Sequence, residues 1–211
     1  MQVETAAPLI PPRPTIDKLR DVAAECKACD LWKTGTQTVF GEGKPSSLIM
    51  FIGEQPGDKE DLAGRPFVGP AGALLDKSLE EAGIDRAKVY VTNVVKHFKW
   101  EPRGKRRIHK KPNGVEITAC RPWLQAEITV IQPRAIICLG STAAQAVISP
   151  KFRVSVQRGE FVQSELAEYV TATVHPSSIL RAPSDEMRRI ERERFVNDLR
   201  KIRAALGAIA A

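Results

Sequence analysis

Apolar residues along this chain follow two rhythms. The first is the short unbroken run. Leu48-Ile49-Met50-Phe51-Ile52 stops at Gly53, and Val89-Tyr90-Val91-Thr92-Asn93-Val94-Val95 runs into a basic stretch. Ala135-Ile136-Ile137-Cys138-Leu139 and Tyr169-Val170-Thr171-Ala172-Thr173-Val174 repeat the pattern, the last ending at His175-Pro176. Such runs are short for helices and lack polar alternation, so they predict strands buried on both faces. The second rhythm is helical. Thr15 can cap a helix that keeps Ile16, Leu19, Val22 and Ala23 on one face. Further helices are expected from Ala71 to Ala82, closed by Gly83, from Thr118 to Ile131, from Ser141 to Ile148 and from Ser184 to Leu206. Pro122 fits the Thr118 helix if it lies in the first turn.

Strand, loop, helix, strand is the order of an α/β fold. The pattern predicts three layers, α/β/α, around a central, mainly parallel four-stranded sheet. Residues 15–211 form one domain, and residues 1–14, with Pro11-Pro12-Arg13-Pro14, read as an extended tether. No internal repeat interrupts this reading. Ligands of such sheets bind beyond the carboxyl ends of the strands. Those ends carry Gly53–Gly57, Asn93, Gly140 and His175, so polar motifs from separate strands converge on one edge.

Composition narrows the setting. The 43% apolar content suits a globular protein of 211 residues, and no apolar run approaches the ~20 residues that cross a bilayer. The first residues lack the charged and apolar regions of a secretory signal, so a cytoplasmic monomer with no membrane partner is expected. The net charge is +7, and its location is informative. Eight Lys/Arg and one acid lie between Lys96 and Lys111, leaving the rest of the chain balanced. A solvated charge run is the ordinary reading of such a segment; its mixture with His97, Phe98, Trp100 and His109 favours a loop that contacts phosphates. Cys26 and Cys29 form a C-x2-C pair, while 17 residues separate Cys120 from Cys138. Spacing alone admits an iron–sulfur cluster, a zinc site or plain buried thiols.

Two motifs follow strands directly. Gly53-Glu54-Gln55-Pro56-Gly57-Asp58 is either a bland turn or a tight one that aims Glu54 into a cleft. His175-Pro176-Ser177-Ser178-Ile179-Leu180-Arg181 offers small donors suited to phosphates and an apolar pair suited to a base stack. With the C-x2-C pair, Thr92-Asn93, Cys120 and Cys138 in order, these motifs resemble the uracil-DNA glycosylase superfamily, in its iron–sulfur, family-four-like branch. The likeness covers nearly the whole chain. It departs from that branch at Gln55, where a small residue is common, and at the added basic loop Gly104-Lys105-Arg106-Arg107-Ile108-His109-Lys110. Lys-Arg-Arg-Ile-His is similar to the hallmark of the UdgX subgroup, whose members become covalently joined to DNA.

The resemblance implies a four-iron, four-sulfur (4Fe-4S) cluster with a structural role on Cys26, Cys29, Cys120 and Cys138. It implies uracil-containing DNA as partner and free uracil as product. Phe67 resembles the ring that stacks on a flipped uracil, although a core phenylalanine is the plain alternative. Asn93 would read the pyrimidine edge, and His175 would donate to O2 of the departing base. Glu54 would stabilise the sugar cation, and His109 would attack C1′ in place of water. Gln55, Asp58, Ser177 and Arg181 are expected around the substrate, with Asp58 and Asp61 chiefly ordering the loop. Lys105, Arg106, Arg107 and Leu180 are expected on DNA. The rivals are a turnover glycosylase in which His109 only touches phosphate, and a non-catalytic iron–sulfur or zinc protein that binds nucleic acid.

Overall fold

The computed structural model describes residues 4–207; the outermost residues of the expected tether, 1–3, lie outside them. Strands β1 (Ile49–Gly53), β2 (Val89–Asn93), β5 (Ala135–Leu139) and β6 (Tyr169–Thr173) form one sheet, and β3 (Trp100–Arg103) and β4 (Arg106–His109) form a hairpin. Helices are α1 (Ile16–Ala23), α2 (Asp58–Ala63), α3 (Pro70–Ala82), α4 (Gly114–Ile131), α5 (Ser141–Val147), α6 (Val154–Gln157), α7 (Pro176–Leu180) and α8 (Asp185–Leu206). The sheet order is β2-β1-β5-β6, and every neighbouring pair is parallel.

Side chains alternate across the strands, so each strand feeds two cores. Met50, Ile52, Tyr90, Ile136, Cys138, Val170 and Ala172 pack with residues of α1 and α4. Ile49, Phe51, Val89, Val91, Ala135, Ile137 and Leu139 pack with α3 and α8. That is the expected three-layer arrangement, and it explains the unbroken apolar runs. Parallel register also aligns the strand ends: Gly53 sits beside Asn93, and Leu139 beside Thr173.

Three elements differ from the sequence reading. Helix α4 starts at Gly114, because Asn113 and Glu116 form a reciprocal cap, and Pro122 therefore lies inside it. The helix tolerates that proline because its apolar face is buried against the sheet. The expected tether packs on the domain: Ala7–Leu9 form a 3-10 turn, and buried Ala6 donates its N–H to the Ala119 carbonyl. The basic stretch is an ordered hairpin, and several of its cations are spoken for.

Lys96 is one of these. Its ammonium is buried and reaches Glu127 at 2.5 Å, the Thr92 hydroxyl at 2.6 Å and the Asn93 carbonyl at 2.8 Å. Glu127 Oε1 also accepts from the Tyr90 hydroxyl and the Gly41 N–H. Every polar atom in this knot has a partner, the condition under which a buried charge pair is tolerable. Removing one partner strands the other. Lys96→Met and Glu127→Gln should each cost about 3–5 kcal/mol in denaturant unfolding, with the double variant recovering part of the loss. Additive losses would show that the two charges do not act as a pair.

Candidate active site

The first strand delivers its motif with little freedom. Val94 and Val95 donate their N–H groups to the carbonyls of Gly53 and Glu54 at 2.9 and 3.0 Å, so the backbone stays zipped past the strand ends. The loop that follows is closed by Glu60, whose carboxylate accepts from the N–H of Gly57 and of Gly69 at 3.1 and 2.6 Å. Phe67 sits in that loop with φ of 56°, a left-handed conformation that a bulky residue adopts only under constraint. The constraint is the carbonyl of Phe67, which lies 1.7 Å from where a Cβ on Gly72 would stand. A side chain at Gly72 would evict the loop.

The cleft beyond the sheet encloses about 680 Å³ and is lined by Glu54, Phe67, Asn93, His109, Thr142 and His175, among others. Gly53 lies behind two of these side chains. A Cβ there would stand 2.4 Å from Asn93 Oδ1 and 2.9 Å from Phe67 Cζ, so the missing side chain is what lets amide and ring meet. His175 faces Phe67, with ring centroids 6.2 Å apart and planes 24° apart. Its Nδ1 accepts the Ser177 N–H at 3.1 Å, which assigns the ring proton to Nε2. Burial is the main reason its pKa falls to about 4, with Arg181 and His109 adding to the effect and Glu54 opposing it. His175 is thus a neutral N–H donor.

Of the two acids that line the cleft, Glu54 and Glu60, Glu54 is the one not used to close the loop. Burial would raise its pKa, but hydrogen bonds from His109 and Thr142 outweigh that and hold it below the usual range. His109 Nε2 lies 3.1 Å from Glu54 Oε1, and the Thr142 hydroxyl donates to Oε2. The imidazole of His109 is half exposed, so one flank faces Glu54 and the other remains open.

His109 arrives there on the hairpin, paired across it with Trp100. Gln55 clasps the hairpin base: its amide donates to the carbonyls of Lys99 and Lys110 at 3.0 and 3.2 Å and accepts the Lys99 N–H at 3.2 Å. Arg107 pins the other edge, bonding Asp58 and Asp61 at 2.6 Å each and the Thr36 hydroxyl at 3.0 Å. Asp61 is fully buried and also accepts from Thr36. Asp58 and Arg107 therefore belong to the hairpin's anchor, away from the cleft lining.

The remaining expected residues divide. Gln55, Ser177 and Arg181 line the cleft, and Leu180 is exposed at the end of α7. Lys105 and Arg106 are exposed at the hairpin turn. Sequence reasoning missed Thr142, which carries no signal beyond its place after Gly140. Among the cysteines, Trp123 on α4 donates to Cys26 Sγ at 3.3 Å, and the Lys96 N–H points at Cys120 Sγ at 3.3 Å. Burial raises the thiols of Cys29 and Cys120, and Cys26 adds to the first while Cys29 and Cys26 add to the second, so the three lie near one another. Cys138 does not join them. It lies within β5 between Ile52 and Ala172, and burial alone pushes its thiol up. No three His, Cys, Asp or Glu side chains among the described residues stand close enough to share a single metal ion. The three thiols, two buried and that of Cys29 half-buried, are soft donors whose chemistry fits a larger iron–sulfur cluster.

Comparison with known proteins agrees with this geometry. The model of the uracil DNA glycosylase superfamily matches residues 40–200. A type-4 uracil-DNA glycosylase of Thermotoga maritima is 41% identical over 182 residues, 83% of this chain and 91% of the relative. One of Sulfurisphaera tokodaii is 37% identical over 199 residues, 90% of this chain and 84% of the relative. A type-5 enzyme of Pyrobaculum aerophilum is 25% identical over 183 residues, 79% and 77% of the two chains.

Two measurements check the site. In a histidine-resolved NMR titration, the His175 resonances should stay fixed through pH 6.5, its ordinary value, and move only near pH 4. Between those values the unfolded chain takes up a proton that the folded one refuses, so His175 makes stability fall as pH drops through the window. Titration of His175 near 6.5 would mean that its ring is not held in the cleft. Gly53→Ala should shift the Asn93 side-chain amide resonances and the Phe67 ring signals together, while unchanged signals would show that Gly53 does not set their approach.

Proposed function

The chain belongs to the uracil DNA glycosylase superfamily, and we propose from that footing that it excises uracil from DNA and then becomes covalently joined to the sugar through His109. Glycosylase activity is supported by the type-4 relatives. The covalent end-point, the mark of the UdgX subgroup, is supported by one observation above the others: His109 Nε2 stands 3.1 Å from the Glu54 carboxylate at the mouth of the cleft.

A duplex hides the N-glycosidic bond, so the uridine must be extruded into the cleft. Asn93 can accept from N3–H and donate to O4, a pairing that cytosine's edge does not match. Phe67 offers a stacking face. As the C1′–N1 bond breaks, its electrons leave with the base, and the neutral Nε2–H of His175 stabilises the negative charge growing on O2. C1′ becomes electron-poor, and Glu54, ionised at neutral pH, faces it as a counter-charge. A lone pair of the His109 imidazole then forms a C–N bond to C1′, and the imidazole proton passes to Glu54. With two hydrogen bonds already on that carboxylate, it needs little rearrangement to receive the proton.

Cys26, Cys29 and Cys120 would hold an iron–sulfur cluster whose contribution is structural. It would tie the turn after α1 to α4, remote from the reacting atoms. On the DNA side, Lys105 and Arg106 would meet phosphates, and Leu180 is exposed where it can press on the base stack.

Incubation with uracil-containing DNA should give a species that survives boiling in detergent, and none should form on thymine- or cytosine-containing DNA. Digestion and mass spectrometry should place the DNA on the peptide with Ile108-His109. His109→Ser should release uracil with turnover and form no adduct, and Glu54→Gln should lower excision about 10²–10³-fold with DNA binding retained. Turnover by the unaltered chain without an adduct would leave His109 as a phosphate contact. Attachment at Lys110 would identify an imine instead.

A further inference from the structure

The backbone bonds that run past the strand ends fix where Glu54 starts, and they leave its carboxylate free to swing. Among the described residues two side chains hold that carboxylate: His109 at Oε1 and Thr142 at Oε2. His109 is half exposed and is the group that bonds C1′ in the functional reading above. A restraint that lasts through the reaction therefore has to come from Thr142.

The fold places Thr142 with little slack. After β5, Gly140 turns the chain into α5 with φ of 87°, in the left-handed region that glycine enters freely. A Cβ on Gly140 would stand 3.1 Å from the Cβ of His175, so the bare backbone also lets this turn lie against that histidine. The Gly140 N–H donates to the Thr173 carbonyl at 2.8 Å, which ties the turn to the end of β6. Thr142 follows in the first turn of α5, on the cleft lining and only 5% exposed. Its hydroxyl is thus referenced to β5 and β6, whereas the Glu54 backbone is referenced to β1 and β2. Sheet order β2-β1-β5-β6 puts the join between these halves at β1 and β5, the switch point where such sheets bind ligands. One hydrogen bond crosses it. With the single hydrogen of Thr142 on Oε2, a proton arriving from His109 is received at Oε1, and the Thr142 bond survives the transfer.

We propose that Thr142 is a positioning residue for uracil excision: its hydroxyl pins Oε2 of Glu54, so that Oε1 is the oxygen presented to His109 and to the sugar. The proposal rests on the role given to Glu54 in the functional reading. The other titratable groups around Glu54 are His109 on β4 and His175 before α7, with Arg181 and Glu60 also on the cleft lining. Burial alone would raise the acid, and the bonds from His109 and Thr142 bring it below its usual range. Loss of the Thr142 bond therefore moves Glu54 upward as well as loosening it.

The test compares three variants of the full chain. Thr142→Val keeps the branched shape and deletes the donor, Thr142→Ala deletes both, and Thr142→Ser keeps the donor. Excision is timed with the chain in excess over uracil-containing DNA, so that one event per site is followed. Thr142→Val and Thr142→Ala should slow it about 10–100-fold, the loss of one hydrogen bond to a charged group. The concentration giving half the maximal rate should not move, and Thr142→Ser should restore most of the rate. A ¹³C titration of the Glu54 carboxyl should place it higher in Thr142→Val and Thr142→Ala than in the unaltered chain and Thr142→Ser. Excision at the unaltered rate by Thr142→Val or Thr142→Ala would overturn the proposal, as would a Thr142→Ser chain as slow as Thr142→Ala. A Glu54 signal that titrates alike in all four chains would also overturn it. An unaltered chain that releases no uracil sinks the glycosylase reading instead, and the carboxyl titration then still decides whether Thr142 holds Glu54.

Discussion

The Gln55 side chain carries the arrangement at the cleft mouth. One carboxamide makes three backbone bonds to Lys99 and Lys110, the pair that closes the hairpin next to Trp100 and His109. Gln55 is also the neighbour of Glu54, whose carbonyl is bonded to Val95. The acid and the histidine are therefore referenced to the same two residues of β1's trailing loop, although 55 positions separate them in the chain. A two-stranded ribbon is marginal by itself, and one clasp would leave it free to rock. Arg107 removes that motion by fixing the far edge to Asp58 and Asp61. Two attachments hold His109 in reach of Glu54, so a reaction that used both, as proposed, would not have to organise them.

Two of the molecule's inner carboxylates, Glu127 and Glu54, differ in one respect. Glu127 is saturated: Lys96, Tyr90, Thr92 and the Gly41 N–H occupy its oxygens, and it is wholly inaccessible. Such an acid can only hold things in place. What it holds is the end of β2, since the same ammonium that neutralises it also bonds the Asn93 carbonyl. Among the described residues the Glu54 carboxylate has only Thr142 and His109 as hydrogen-bond partners, and it faces the cleft. Its remaining lone pairs are available to a cation. Saturation separates the structural acid from the one proposed to react.

The sheet was legible because strands buried on both faces must be apolar throughout, and the strand-end residues of the cleft followed from parallel topology. Glu54, Asn93 and His175 needed no more than that. The hairpin was not legible as strands. Trp-Glu-Pro-Arg and Arg-Arg-Ile-His carry no alternation, and their pairing is imposed by Gln55, Asp58 and Asp61 from far along the chain. Lys96 read as a surface cation for the same reason: its partner, Glu127, lies 31 residues away and only the fold brings it close. Cys138 sits at a strand centre, apart from the other three thiols, and spacing cannot tell such a thiol from one at a helix face. Pro122 misled the start of α4 because the reciprocal cap at Asn113 and Glu116 outweighs a proline penalty once the helix is packed.

These pairings change what the basic segment can do. Of its eight cations, Lys96, Lys99, Arg107 and Lys110 each lie in an ion pair with an acid of the protein. Among the described residues Arg103, Lys105, Arg106 and Lys111 have no such partner, and all four are exposed. Counting charge along the sequence therefore doubles the cations available to a phosphate backbone. The four that remain sit at the hairpin turn and at its outgoing end, so the positive field is concentrated on one side of the cleft mouth. A field placed there steers a polyanion toward the edge that carries His109 and leaves the cleft interior to the uncharged donors of Asn93 and His175. On the proposed reading, attraction and recognition would fall to different residues: salt would weaken the first, and the second would depend on fixed hydrogen-bond geometry in a cleft that salt screens far less.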